Sequence, residues 1–178
     1  MINFIDEKIY ALIHSMESLS ATKVMILISY LGSAIVLITL AISMYFLYKD
    51  KKYPILISIN LASVFIINRI LKIIFRRDRP NIISPTPEKG FSFPSGHAMI
   101  ATGFYGLLIY FTYKNVKNKI KRNIIITILT ILILSIGISR VYLGVHYATD
   151  VIGGYILGII YLVFFIKYKD KLFTKKNK

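Results

Sequence analysis

Gly90–Gly106 reads GFSFPSGHAMIATGFYG, and its two halves belong to different chemistries. From Ala98 onward the residues are nearly all apolar or small, as in a helix that crosses a bilayer. The entrance to that helix holds Pro94, Ser95, Gly96 and His97. Serine is a good N-cap, and the first N–H groups of a helix need acceptors. Capping accounts for the serine. It does not account for the histidine, nor for Arg76, Arg77 and Arg79 just upstream.

The rest of the chain supplies the setting. Its 178 residues are 56% hydrophobic, yet the net charge is +15, and the mean hydropathy is +0.64. That apolar content argues against a soluble domain and for a single integral membrane domain, residues 1–178. The basic residues cluster between long apolar runs, which is how membrane topology is written, so the bilayer rather than nucleic acid is the expected partner. Without cysteine there is no disulfide framework, thiol nucleophile or Cys-bound metal. Asp6, Glu7 and Lys8 interrupt the first apolar residues, so the start does not read as a signal peptide.

A membrane-spanning helix needs about 20 apolar residues. Val24–Tyr48 and Ile124–Tyr142 meet this plainly, and Pro54–Phe75 meets it despite Asn60, Asn68, Arg69 and Lys72. Pro94–Tyr113 and Asp150–Lys167 qualify with their polar starts. Residues 1–22 are too polar to span. Ile2, Ile5, Ile9, Leu12, Ile13 and Met16 fall on one helical face there, the pattern of an interfacial helix or of one packed on the bundle. The expected fold is therefore an all-α integral membrane bundle of about five spans. An N-terminal interfacial amphipathic helix (1–23) leads it and a basic tail (167–178) follows it. Gly153, Gly154 and Gly158 read as a packing face of small residues.

Five spans put the segments Lys49–Lys52, Lys114–Arg122 and Lys167–Lys178 on one side, with fourteen Lys and Arg residues against eight on the other (Lys8, Lys23, Lys72, Arg76, Arg77, Arg79, Lys89 and Arg140), Arg69 being left within its apolar run. By the positive-inside rule the fourteen are cytoplasmic, and the protein is a multi-pass protein of the cytoplasmic membrane. Three polar clusters then share the outer face: KIIFRRDRP (Lys72–Pro80), PSGH (Pro94–His97) and SRVYLGVHYATD (Ser139–Asp150).

These clusters suggest one chemistry. Lys72, Arg79 and Arg140 would repel one another in a confined space, and a charge at membrane depth costs about 2.5–3.5 kcal/mol on insertion scales. A dianionic phosphate offsets that cost, with arginine offering planar forks and lysine a point charge. The N–H groups around Ser95 and Gly96 at a helix N-terminus add an anion site. His146 and Asp150, four residues apart, share a helix face, and an aspartate that fixes one imidazole nitrogen leaves the other as a nucleophile. His97 is then the candidate proton donor to a leaving group.

Lys72-x6-Arg79-Pro80, Pro94-Ser95-Gly96-His97 and Ser139-Arg140-x5-His146-x3-Asp150 together resemble the three-part signature of the type 2 phosphatidic acid phosphatase superfamily. The resemblance spans Lys72 to Asp150; the flanking helices match only in being apolar. It implies a phosphohydrolase that needs neither metal nor cofactor and forms a phosphohistidine. It also implies that His146 attacks, Asp150 orients it, His97 protonates the departing oxygen, and Lys72, Arg79, Arg140, Ser95 and the Gly96 amide hold the phosphoryl oxygens. The substrate would be a membrane lipid phosphate: undecaprenyl pyrophosphate, phosphatidylglycerol phosphate or phosphatidate. The loop Asn81–Phe93, with Pro85, Pro87, Glu88 and Lys89, is the expected head-group reader.

Three other readings compete. Soluble vanadate-dependent haloperoxidases share the signature, but five spans argue against them. A lipid phosphotransferase would use the same residues with an alcohol in place of water. An anion transporter needs a polar route across the bilayer, and the inner halves of these helices carry no charges to line one. No sequence signal fixes an oligomeric state.

Overall fold

The computed structural model describes residues 2–15, 17–81 and 84–172. They form seven α-helices and a short 3-10 turn, Lys169–Leu172, with no strand among them. The helices are α1 (Ile2–His14), α2 (Leu19–Tyr30), α3 (Ala34–Leu47), α4 (Lys52–Phe75), α5 (Gly96–Asn115), α6 (Lys119–Tyr142) and α7 (Ala148–Tyr168). Met16 of the leader and Lys175, Lys176 and Lys178 of the tail lie outside the described residues.

By length and apolar composition α4, α6 and α7 with its 3-10 extension can each cross a membrane, whereas α2 and α3 qualify only as a pair bent by 47°. The sequence leads one to expect a continuous span over Val24–Tyr48. The chain instead breaks at 31–33. The N–H groups of Leu31, Gly32 and Ser33 reach carbonyls three residues back at 3.0–3.1 Å, which closes α2. Ser33 then opens α3 by accepting from the Val36 N–H. A bare carbonyl is costly in lipid, and Tyr105 of α5 satisfies that of Leu31 with a hydroxyl bond of 2.8 Å. Gly32 is required by close approach: a Cβ there would meet the Ile136 side chain at 2.5 Å.

α5 is the axis of the bundle, packed against α4, α6 and α7. Ala98 through Leu107 are all buried. Its 20 residues give it the length of a span, but it lacks the apolar density of the other spans. Protein rather than lipid surrounds it, so glycine, threonine and tyrosine are tolerated there. Gly154 and Gly158 of α7 form the small-residue seam against it. A Cβ at Gly154 would lie 2.9 Å from the Ser95 carbonyl oxygen, and one at Gly158 would lie 2.8 Å from Thr102 Cβ. Backbone at one end of that seam cannot yield cheaply, so PSGH is fixed against the start of α7.

α1 is the amphipathic leader, and it docks on α6 and α7. Ile9 and Ile13 pack against Val141, Ala148 and Val151, while Phe4, Ile5 and Leu12 stay exposed. The leader ends earlier than the sequence reading has it. Ser18 accepts from the Ala21 N–H at 3.2 Å, a cap of the kind that stabilises a helix start by about 1 kcal/mol. Residues 19–23 therefore belong to α2.

The two ends of the bundle differ. At one, Tyr53 donates to Asn115 at 3.4 Å and Lys52 lies 3.7 Å from Asp170, which gathers the basic segments. At the other, the end of α4, the start of α5 and the α6–α7 turn converge.

Candidate active site

The convergence is built from backbone outward. The chain leaves α4 through Arg76, in the left-handed region at φ 47°. Lys72, in the last turn of α4, donates to the carbonyls of Phe91 at 2.6 Å and Ser92 at 3.0 Å, which ties the 76–95 loop to that helix. The Ser95 N–H donates to the Asp150 carbonyl at 3.0 Å, which ties the start of α5 to α7. Arg79 binds the Gly90 carbonyl through Nε at 2.9 Å and the Val145 carbonyl through Nη1 at 2.8 Å.

Inside this frame lies a buried imidazole–carboxylate pair. His146 is 1% exposed and Asp150 is fully buried. His146 Nδ1 lies 3.5 Å from Asp150 Oδ2 and 3.3 Å from Ser92 Oγ. Asp150 Oδ2 also accepts from the Ser92 hydroxyl and, at 2.9 Å, from the Tyr147 N–H. The anionic neighbour assigns the imidazole proton to Nδ1 and leaves the Nε2 lone pair facing Arg79, whose Nη1 is 3.2 Å away. Burial pushes the His146 pKa down to about 4; Arg79 and Lys72 push the same way, against the hydrogen bond to Asp150. The imidazole is therefore neutral at neutral pH.

Asp150 is supported from behind. Its Oδ1 accepts from Arg77 Nη1 at 2.7 Å, and Arg77 Nη2 binds Asp6 Oδ2 of α1 at 2.7 Å. Asp6 in turn accepts from the N–H of Thr149 at 3.0 Å and from its hydroxyl at 2.7 Å. A carboxylate at the first turn of a helix matches its dipole.

In front of His146 stands Glu88. Its carboxylate pairs with Arg140 through one oxygen and with Arg79 through the other, the latter at 2.9 Å. His97 Nδ1 is 3.6 Å from the first oxygen and His146 Nε2 is 3.8 Å from the second. Burial works to raise the Glu88 pKa, but Arg140, His97, His146 and Arg79 outweigh it and hold the carboxyl below its usual range. Arg140 itself is 2% exposed and also donates to Ser29 of α2.

The eight residues singled out in the sequence thus lie at one end of the bundle. His97, Arg79, Arg140 and His146 meet at Glu88, and Asp150 sits behind His146. Lys72, Arg79, Glu88, Gly96 and His97 line one cavity of about 410 Å³, although Lys72 spends its bonds on the loop. Ser95 is fully buried and its hydroxyl has no hydrogen-bond partner among the described residues. A second, apolar cavity of about 410 Å³, between α3 and α4, shares Ala34, Phe65 and Ile100 with the first. Asp6, Arg77 and Ser92 were not foreseen. Asp6 did carry a signal, since it stands on the same helical face as Ile2, Ile9 and Ile13. Ser92 carried none.

Comparison with known proteins agrees with this architecture. The profile of the PAP2 superfamily matches residues 53–173. Phosphatidylglycerophosphatase B of Bacillus subtilis is 35% identical over 153 residues, covering 84% of this chain and 75% of the relative. The undecaprenyl-diphosphatase of Sulfolobus acidocaldarius is 28% identical over 85% of this chain and 72% of its own. The crystal structure of the transmembrane PAP2-type phosphatidylglycerolphosphate phosphatase from Bacillus subtilis superposes with TM-score 0.86 at 30% identity, over 99% of this chain and 89% of that one. That of Aquifex aeolicus LpxE gives 0.71 at 26% identity, over 90% and 94%. By sequence profile, by relatives and by fold, the chain belongs to the PAP2 superfamily of membrane phosphatases.

Proposed function

We propose that the protein is a metal-independent lipid phosphate phosphatase that works through a phosphohistidine. The observation that carries this reading is the buried His146, backed by Asp150 and facing the Arg79 guanidinium at 3.2 Å. The phosphoryl oxygens bind Arg79, Arg140, the Ser95 hydroxyl and the N–H groups that open α5, with Lys72 adding charge from the edge. His146 Nε2 forms a bond to phosphorus as the bond to the lipid oxygen breaks, and His97 gives that oxygen a proton. A water then loses a proton to His97 and attacks phosphorus, the P–N bond breaks, and inorganic phosphate departs. Asp150 keeps the Nδ1 proton in place throughout. The guanidinium groups neutralise charge that a metal ion neutralises in other phosphatases. An alcohol in place of water would make the same site a phosphotransferase.

The polar cavity and the adjacent apolar one, which share Ala34, Phe65 and Ile100, favour a substrate with one charged phosphate terminus on an apolar tail. Phosphatidylglycerol phosphate is the first choice, from the activity named for the Bacillus relatives, and undecaprenyl pyrophosphate the second. With the basic end in the cytoplasm, the site opens on the outer face of the cytoplasmic membrane. Phosphate release from each lipid, measured in detergent with EDTA present, tests the assignment. Wild type should turn over at least one of them, and His146→Ala should turn over none while still binding vanadate. Residual activity within tenfold of wild type would remove His146 as nucleophile.

A further inference from the structure

A phosphoryl group poised for attack must bring its phosphorus within roughly 3–3.5 Å of His146 Nε2. That volume is taken: Glu88 Oε2 lies 3.8 Å from the same nitrogen, and the Glu88 carboxylate already pairs with both guanidinium groups that a phosphate would use. We propose that Glu88 is an internal competitor for the phosphoryl site, and that this competition makes the enzyme select a doubly charged phosphate terminus over the singly charged phosphodiesters of ordinary membrane lipids. This rests on the reading of the site as a phosphate cradle and adds to it a determinant of substrate charge.

The loop allows the exchange. Ser84 donates to the Leu143 carbonyl, and Gly90, Phe91 and Ser92 are held by Arg79 and Lys72. Glu88 stands between these anchors with its side chain 29% exposed, so it can swing to solvent without moving them.

The selectivity follows from charge. A phosphodiester and a carboxylate each carry a single negative charge, so exchanging one for the other gains nothing electrostatically. A phosphomonoester dianion or a terminal diphosphate adds at least part of a further charge beside Lys72, Arg79 and Arg140. The surrounding leaflet consists largely of phosphodiester head groups, and an open trio of cations would bind them. Glu88 raises the threshold. It also returns to the cradle when product phosphate leaves, opposing product inhibition.

Apparent affinity falls by the fraction of molecules whose site is free. Titration of full-length protein in detergent with vanadate, for wild type, Glu88→Gln, Glu88→Ala and the charge-preserving Glu88→Asp, reads that fraction. Vanadate Kd should fall about tenfold or more in the Gln and Ala variants, and less in Asp, since a site free in about one molecule in ten costs that factor. Short-chain phosphatidylglycerol, a phosphodiester, should inhibit phosphate release by the Gln and Ala variants at concentrations that leave wild type untouched. Equal or weaker vanadate binding in both neutral variants would mean that Glu88 holds Arg79 and Arg140 in place, and would overturn the proposal. Tighter vanadate without diester inhibition would overturn its selectivity. Failure of wild type itself to bind vanadate would instead remove the phosphate cradle on which the idea stands.

Discussion

Asp6 and Asp150 share one guanidinium: Arg77 reaches each carboxylate at 2.7 Å, although the first lies on α1 and the second on α7. Asp150 Oδ1 is thereby held while Oδ2 faces His146, so the leader helix takes part in orienting that imidazole, the proposed nucleophile. Asp6→Asn should lower kcat about tenfold, equivalent to about 1.4 kcal/mol of lost transition-state stabilisation. Vanadate Kd and KM should stay nearly unchanged, because the cradle is built without α1. Glutamate at the same position should recover part of the loss. A parallel rise in KM and vanadate Kd would show that α1 merely supports the fold.

The buried His146 makes a statement about pH. Its pKa lies below the usual 6.5, at about 4, so native protein keeps the imidazole neutral where an unfolded chain binds a proton. The unfolded state thus takes up more protons between those two values, and stability falls as pH drops through that window. Above pH 6.5 the group contributes nothing to the pH dependence. The imidazole Cε1–H resonance assigned by its absence in His146→Ala should titrate near pH 4. A midpoint near 6.5 would contradict a desolvated, cation-facing imidazole.

His97 is tested by the leaving group. A lipid alkoxide leaves poorly without a proton, whereas p-nitrophenolate leaves readily. His97→Ala should lose roughly 10²–10⁴-fold on a lipid phosphate, the usual range for acid–base catalysis, and far less on p-nitrophenyl phosphate. Equal losses on both substrates would make His97 a phosphate ligand instead.

Orientation can be read from two exposed lysines at opposite ends of the bundle. A cysteine at Lys89 should react with an impermeant thiol reagent in intact cells, and one at Lys117 should not. The reverse pattern would place the site in the cytoplasm.

What the sequence discloses depends on how local the cause is. α4, α6 and α7 follow from long, mainly apolar runs. Even so, α6 starts five residues before the apolar run suggests, because Asn118 accepts from the Lys121 N–H at 3.0 Å and caps a polar first turn. The break at 31–33 is hidden because apolar residues continue through it, and the need for Gly32 lies in Ile136, far along the chain. The motif residues of the site are legible because their spacing within each helix end is fixed. Asp6, Arg77 and Glu88 gain their roles across long separations, 71 residues from Asp6 to Arg77 and 52 from Glu88 to Arg140, and no local pattern encodes such a meeting.

The broken α2–α3 pair has a kinetic meaning. It lays an apolar cavity beside the polar one, with Ala34, Phe65 and Ile100 common to both. A substrate arriving by that route diffuses in two dimensions and never passes through bulk water. Its effective concentration is then a mole fraction in the leaflet or micelle, not a molarity. Adding inert detergent at constant total lipid phosphate should slow turnover by surface dilution, while leaving a water-soluble phosphate ester unaffected.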